Sequence, residues 1–566
     1  MKRLRFFIAC IIIGAISYFY LSFFRNHFYA LLADEGYAFY QAKRILLGQV
    51  MYKDFFQLLP PGTVYLLVLI YKIFGFSYGA GMITAIIIDS LINVLLFYLG
   101  YKAIKSWYAI LLPLFFPTPG FLNFMQYSHY WTSMFFLFIA LAFFLSYLEH
   151  NKNLPLVAAG IFIGITWLFL PTTGTYAALL FFALFMIERR KEKAFAKQMS
   201  MFLVSMSIPL LIIFGFLAWQ GAFYDFVKEY LFGINVYARG CTINPIDLYF
   251  SDRGYPLYPY SLLFLSFTGI AVFSGIALFF FRSKFSNPVK VILMGDVIQV
   301  LSSSSRMDLD HILINSALSL VILLLFVKWM IGILLCNISV KNKEKFDTSL
   351  ENPPSSPFVK GGKRGILFFN MPENCLRHAD RTVGTLHKFI RYAFNIIVAA
   401  CVVWCLLIMY TNVVNRYEHA YTMDINGTRL WTYNKQQVWD INQFFPKVEK
   451  RLQGDKNVFV YPYCPLVYVL YGLNNPTSMD FMFANPLLSA MPNSGPYGYD
   501  RIVQELKKTN AQYVIYCNFP QDYINFELGL DYKHDRANAV DEFMSSQYIP
   551  VLKVDQLVLY KRVKSK

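Results

Sequence analysis

Charge is scarce in this chain. Asp, Glu, Lys and Arg supply 15% of its 566 residues, where soluble domains usually carry about 25%. With 57% hydrophobic and 18% aromatic residues, this scarcity excludes a purely soluble protein. Metal-ligand spacing is missing too: the eight cysteines form no pattern of the kind that builds a zinc site. Cys10, Cys336, Cys401 and Cys405 lie in or beside apolar runs and read as small buried hydrophobes. Cys464 and Cys517 each end a strand-like run, and they are free to pair if their region faces an oxidising compartment. No small-x-small cleavage site follows the basic start and apolar core of MKRLRFFIACIIIGAISYFYLSFF, so a retained anchor is expected rather than a removed signal peptide. No internal repeat is detectable.

What is abundant is apolar runs separated by short basic loops. Spans of about 20 apolar residues are expected near 6–24, 80–100, 107–122, 130–148, 154–170, 172–187, 200–219, 258–281, 288–301, 311–335 and 389–411. The stretch 62–76 (GTVYLLVLIYKIFGF) is short and carries Lys72. If it does not cross, one set of loops holds 23 basic residues and the opposite set 9. The positive-inside rule then gives eleven spans, with the N-terminus inside, the C-terminus outside and 62–76 an interfacial helix. The net charge of +17 is accounted for by those loops, which excludes nucleic acid as a partner.

The expected fold is therefore a polytopic α-helical membrane protein of about eleven spans with a small C-terminal α/β domain. Residues 1–336 form the transmembrane region, with a large first external loop at 25–79. Residues 337–388, containing ENPPSSPFVKGGKRG, read as a flexible inner insertion. Residues 389–411 are the last span. In 412–566, VFVYPYC (458–464) and YVIYC (513–517) are strand-like, and 436–452 and 500–509 carry apolar residues at helical spacing.

Two features of the first external loop carry chemistry. Asp34 and Glu35 directly follow the first span, where desolvating an acidic pair is costly. Residues 34–48 read as a helix with Asp34 at its N-cap and Gly48 past its end. Two readings of Asp34 stand: a cap worth about 0.5–2 kcal/mol, or a functional carboxylate. The second feature is Tyr52-Lys53-Asp54-Phe55-Phe56 followed by Pro60-Pro61-Gly62. A loop this long and aromatic, among short ones, is more often functional than filler.

The pattern ADEGYAFYQAKRILLGQVMYKDF…PPGTVYL resembles the first external loop of GT-C-type, polyprenyl-phosphate-sugar-dependent glycosyltransferases. Within these it is most similar to the bacterial branch of protein O-mannosyltransferases and the aminoarabinose transferase. YPYCPLVYVLYGLNNPTSMDF (461–481) is also similar to members of that family. The resemblance covers most of the chain apart from 337–388. It implies an inverting sugar transfer at the outer face of a bacterial inner (cytoplasmic) membrane, to a glycan, lipid or protein acceptor. It also implies that Asp34 is the general base, with Glu35 in reserve, and that Tyr37, Lys53 and Asp54 line the site, Asp54 orienting the loop. A base is needed because a hydroxyl is a weak nucleophile near neutral pH. The phosphate leaving group needs cations rather than an acid.

Other constellations keep two readings each. SSSSRMDLDH (302–311) either lines the cavity with Arg306, Asp308 and His311, Arg306 near the donor phosphate, or forms a solvated turn. Its Asp308-Leu309-Asp310 matches the DxD of nucleotide-sugar transferases without the surrounding nucleotide domain. Arg239 and Arg253 are either phosphate ligands or neighbours of an aromatic belt. His129 lies near the expected site, where a lone His usually only hydrogen-bonds at the interface. One departure from the family is WLFLPTTGTY (167–176), which lacks the basic residue relatives carry at that junction. No cofactor or metal ligand is assigned, and a divalent metal is left open. The rival classes are a transporter or lipid-glycan flippase, for which Asp89 and Asp296 are the mid-span residues to weigh, and an inactive relative.

Overall fold

A computed structural model of the protein describes residues 2–27, 34–116, 126–240, 258–303, 314–347, 384–461, 464–480, 495–517 and 539–563. Each apolar run expected to cross coincides with helical structure over its described residues; 117–122 and 311–313 lie outside them. In chain order the helices are α1 (Lys2–Phe23), α2 (Asp34–Leu46), α3 (Gly62–Phe74), α4 (Tyr78–Ile104) and α5 (Leu111–Phe115), the last entered through a 3₁₀ turn at Trp107–Ile110. Then come α6 (His129–His150), α7 (Asn153–Phe169), α8 (Pro171–Arg189), α9 (Phe195–Trp219) and α10 (Phe223–Gly240). They are followed by α11 (Tyr258–Phe281), α12 (Asn287–Ser302), α13 (Ala317–Asp347) and α14 (Gly384–His419).

Among the described residues, α1, α4, α6, α8, α9, α11 and α14 contain the 7 stretches long and apolar enough to cross a membrane. The other expected spans fall on the shorter α5, α7 and α12 and on the apolar part of α13, Ala317–Ile333. Helix α3 has 13 residues, about 20 Å at 1.5 Å per residue, and is too short for a hydrocarbon core of roughly 30 Å. Helix α13 continues to Asp347, past the expected start of the flexible insertion. Residues 348–383 of that insertion lie outside the described residues.

Small residues allow the helices to approach closely. In α7, a Cβ on Gly160 would stand 2.1 Å from Ser205 Oγ, and one on Gly164 2.2 Å from the Met206 carbonyl of α9. Asp296 of α12 accepts from Ser274 Oγ of α11 (2.9 Å) and Ser319 Oγ of α13 (2.5 Å), so it ties three helices together. Asp89 of α4 is also fully buried. Exposed apolar side chains band the outer faces of α1, α9 and α14, among them Phe7, Ile11, Leu211, Ile212, Ile396 and Trp404. A soluble domain would bury most of these; lipid tails cover them without cost.

The C-terminal part opens with a hairpin, β1 (Tyr421–Ile425) and β2 (Thr428–Thr432). Its turn, Asn426-Gly427, has positive φ at both positions (49° and 78°), as a two-residue hairpin requires. The hairpin is fastened to the end of α1: Trp431 donates its backbone N–H to Asn26 O (3.2 Å) and its indole N–H to Arg25 O (2.9 Å). Next come α15 (Lys435–Leu452), β3 (Val458–Tyr461), α16 (Pro465–Leu470), α17 (Tyr499–Thr509), β4 (Tyr513–Cys517), α18 (Ala539–Gln547), β5 (Tyr548–Val554) and β6 (Leu557–Arg562). The sheet order is β3-β4-β6-β5, with β3 and β4 parallel and the other pairs antiparallel. A parallel pair needs a long crossover, and the chain from α16 through α17 supplies it. The expected strands and helices of this α/β unit are therefore present, and β5–β6 extend the sheet.

Candidate active site

The acidic pair opens α2, and this helix is wedged between the membrane helices and the C-terminal part. Asp34 is its first residue, and its side chain lies outside the described residues. Glu35 is buried (2% exposed) and accepts from Tyr78 Oη at the start of α4 (3.4 Å). Gly36 is in backbone contact with α16: a Cβ there would stand 2.6 Å from Leu466 N and 2.7 Å from its Cα. One turn on, Tyr40 stacks on Tyr468 with centroids 4.5 Å apart, and its hydroxyl accepts from Asn475 N (2.6 Å). Lys43 Nζ donates to Leu473 O (3.2 Å).

Arg44 closes this face. Its Nη1 lies 2.6 Å from Asp480 Oδ1, the two side chains being 5% and 0% exposed. The guanidinium also donates to Thr477 O (3.2 Å) and Gln49 Oε1 (2.6 Å), and stands over the Phe55 ring (4.7 Å). Burial pushes the Asp480 carboxyl up, against the pull of Arg44, Asn475 and Gln41. Burial works against charge on Arg44, but Asp480, Tyr40 and Tyr468 together outweigh it and the guanidinium is held protonated. A guanidinium is not deprotonated in proteins, so Arg44 stays charged beside Asp480 and favours its carboxylate form against the burial. Residues 34–44 and 465–480, far apart in sequence, thus form one packed unit.

A second polar network crosses beneath α10. Tyr37 Oη donates to Gln57 Oε1, Gln57 Nε2 to Gln41 Oε1 (2.8 Å) and Gln41 Nε2 to Phe56 O (3.0 Å). Gln57 N donates to Glu229 Oε2 of α10 (2.9 Å). Glu229 is 3% exposed. Burial pushes its carboxyl up to about 9, with the Gln57 N–H and Arg501 pulling down and Asp225 pushing up. Glu229 is therefore a neutral acid at pH 7. Phe56 N in turn donates to Ser478 O (2.8 Å), so the second loop motif is also bound to the 465–480 segment.

Of the other residues expected in the site, Asp54 closes its own turn: its Oδ2 accepts from Val50 N (2.7 Å) while its N–H donates to Val50 O (2.8 Å). Lys53 is exposed above the α9–α10 corner. His129 begins α6, half-buried, with its ring 4.2 Å from that of Tyr130. Arg239 lies on α10 with its side chain outside the described residues, and Arg253, Arg306, Asp308 and His311 lie outside them altogether. The junction lacking a basic residue (167–176) packs under the start of α3, where a Cβ on Gly62 would stand 2.6 Å from Leu168 O. Among the described residues no three His, Cys, Asp or Glu side chains come together as a metal site.

Sequence reasoning passed over Gly36, Tyr40, Gln41, Arg44, Gln57, Glu229 and Asp480. A signal existed for part of this set: Gly36, Tyr40, Lys43 and Arg44 fall at helical i, i+4, i+7 and i+8 spacing, which defines one face. Asp480 lies in the 461–481 stretch that carries the resemblance, without a role assigned to it, and nothing local marked Glu229.

No protein-family model matches the chain, and no curated protein matches it in sequence. Among solved structures, ArnT from Cupriavidus metallidurans bound to undecaprenyl phosphate is similar over 99% of this chain and 98% of its own, with a TM-score of 0.53 and 14% identity. The archaeal oligosaccharyltransferase AglB from Archaeoglobus fulgidus, in complex with an inhibitory peptide and a dolichol-phosphate, is similar over 92% of this chain and 70% of its own, with a TM-score of 0.47 and 13% identity. The ArnT likeness covers both chains nearly end to end and shows that this chain has the GT-C fold of a multi-pass membrane protein.

Proposed function

We propose that this chain is an integral membrane glycosyltransferase that moves a sugar from a polyprenyl-phosphate donor to an acceptor hydroxyl, with inversion. The observation that carries this reading is the burial of the helix opened by Asp34-Glu35 at the junction of both halves of a chain with the ArnT fold. That solved neighbour holds undecaprenyl phosphate. A carboxylate placed at the membrane surface, on a helix fixed from both sides, suits a reaction whose donor arrives in the bilayer.

In the proposed reaction Asp34 takes the proton of the acceptor hydroxyl as its oxygen attacks the anomeric carbon. The bond from that carbon to the phosphate oxygen breaks, and the electron pair leaves with polyprenyl phosphate. Arg239, Arg253 and Arg306 are assigned to the donor phosphate, whose charge a guanidinium meets bidentately; Asp308 and His311 line the same cavity. Glu35, buried under Tyr78, anchors α2 rather than acting as base. The side of transfer is extracytoplasmic, in a bacterial inner membrane, and the acceptor is a glycan, lipid or protein.

The test uses purified protein in nanodiscs with a panel of radiolabelled polyprenyl-phosphate sugars and crude envelope acceptors, following release of polyprenyl phosphate. Wild type should release it, while Asp34→Asn should fold normally and release none. Full activity in Asp34→Asn would reduce Asp34 to a helix cap.

A further inference from the structure

Two thiols meet where the C-terminal sheet supports α16. Cys517 is the last residue of β4, paired with Leu557 of β6 and one position beyond the last β3–β4 pair, Tyr461–Tyr516. Cys464 sits at the N-cap of α16, with its carbonyl accepting from Val467 N (3.1 Å). Both are 1% exposed, and the Cys517 thiol lies close enough to act on that of Cys464. Two residues after Cys464 is Leu466, whose backbone carries Gly36. The thiol pair therefore stands at the root of the helix on which α2 is seated.

We propose that Cys464 and Cys517 are a disulfide-forming pair that pins the start of α16 to the end of β4, and so fixes the seat of α2. The inference uses the extracytoplasmic placement of this part of the chain given under Proposed function. In the step each thiol loses one hydrogen and an S–S bond forms. The two electrons and two protons pass to a disulfide-bearing oxidant of that compartment, which leaves as a dithiol. Thiolate is the attacking species, and burial holds the Cys464 thiol well above its ordinary range. Exchange therefore occurs while the domain is closing, and the finished bond is shielded from later reductants.

The test is differential alkylation of the full-length protein taken from membranes and unfolded in detergent. Without reductant, Cys464 and Cys517 should resist a maleimide and be recovered as one linked peptide pair, while the other cysteines label. After reduction both should label. Hydrogen exchange at 465–470 and 34–46 should be slower in the oxidised than in the reduced protein, and Cys464→Ser should lose that difference. Sidedness is read in parallel from Lys450→Cys, on the exposed face of α15, with a membrane-impermeant maleimide. Full labelling of both thiols without reductant in an outward-facing domain overturns the disulfide and leaves the glycosyltransferase reading standing. The same labelling in an inward-facing domain overturns the disulfide and the proposed sidedness together.

Discussion

Replacing Arg44 by Met tests whether the α2–C-terminal contact is what holds the site in shape. Arg44→Met keeps most of the stem volume but removes the 2.6 Å pair with Asp480, whose side chain is 0% exposed. It also removes the bonds to Thr477 O and Gln49 Oε1. Asp480 keeps Asn475 Nδ2, at 3.0 Å, and Gln41 as side-chain partners. Removing one partner of a buried pair costs about 3–5 kcal/mol, because a charge is left buried and unmatched. Burial already holds the folded-state pKa of Asp480 above its unfolded value, and loss of the guanidinium raises it further. The variant's defect is therefore smallest below the wild-type folded pKa of Asp480 and grows as pH rises from there toward the variant's folded pKa. Asp480→Asn should be milder, since Arg44 keeps three oxygen acceptors. The double variant should cost less than the sum of the two singles by roughly 0.5–3 kcal/mol. Thermal unfolding in detergent at pH 5 and 8 measures the global effect, and hydrogen exchange over 34–46 and 465–480 the local one. If Arg44→Met matches wild type in both at pH 8, or if the double variant shows strict additivity, the pair does not hold the two segments together.

Three further outcomes follow from the geometry. Gly36→Ala drives a methyl into the Leu466 backbone; it should destabilise by about 1–3 kcal/mol and lower sugar transfer more than Ala substitutions at exposed α15 positions, as initial rates on the same donor would read. Glu229→Gln should leave stability near wild type at pH 5 and raise it relative to wild type as pH climbs. The native carboxyl, pushed up to about 9 from 4.5, makes wild-type stability fall across that window by at most about 1.4 kcal/mol per unit; a flat difference in melting temperature between pH 5 and 9 would contradict this. Tyr37→Phe removes the hydroxyl from Gln57 and should cost about 0.5–1.5 kcal/mol, with no loss when combined with Gln57→Leu beyond that of Gln57→Leu alone.

The helices of the membrane region were legible because a bilayer imposes a length rule that single segments obey. The short, Lys72-bearing run at 62–76 is expected not to span, and α3 there has 13 residues. The strands at 458 and 513 were visible as apolar runs, and they pair in parallel. Gly48, expected just past α2, has φ +93°. What stayed hidden is long-range pairing. Arg44 reads as an ordinary loop cation until Asp480, 436 positions away, is placed beside it. Glu229 lies on an amphipathic helix that gives no reason to expect a neutral buried acid, since its partner is a backbone N–H of Gln57. Periodicity and capping describe neighbours along the chain, and these contacts come from tertiary packing.

The interlock of α2 with α16 also sets an order of assembly. Ribosomes deliver residues 34–46 into the membrane long before 465–480 exist. Until translation nears its end, Gly36, Tyr40 and Arg44 have nothing to close upon. A nascent or truncated polypeptide thus carries Asp34 and Glu35 on an unseated helix. The packed form of this junction arrives only with the final quarter of the chain, so the last segment made completes the seat of the first loop.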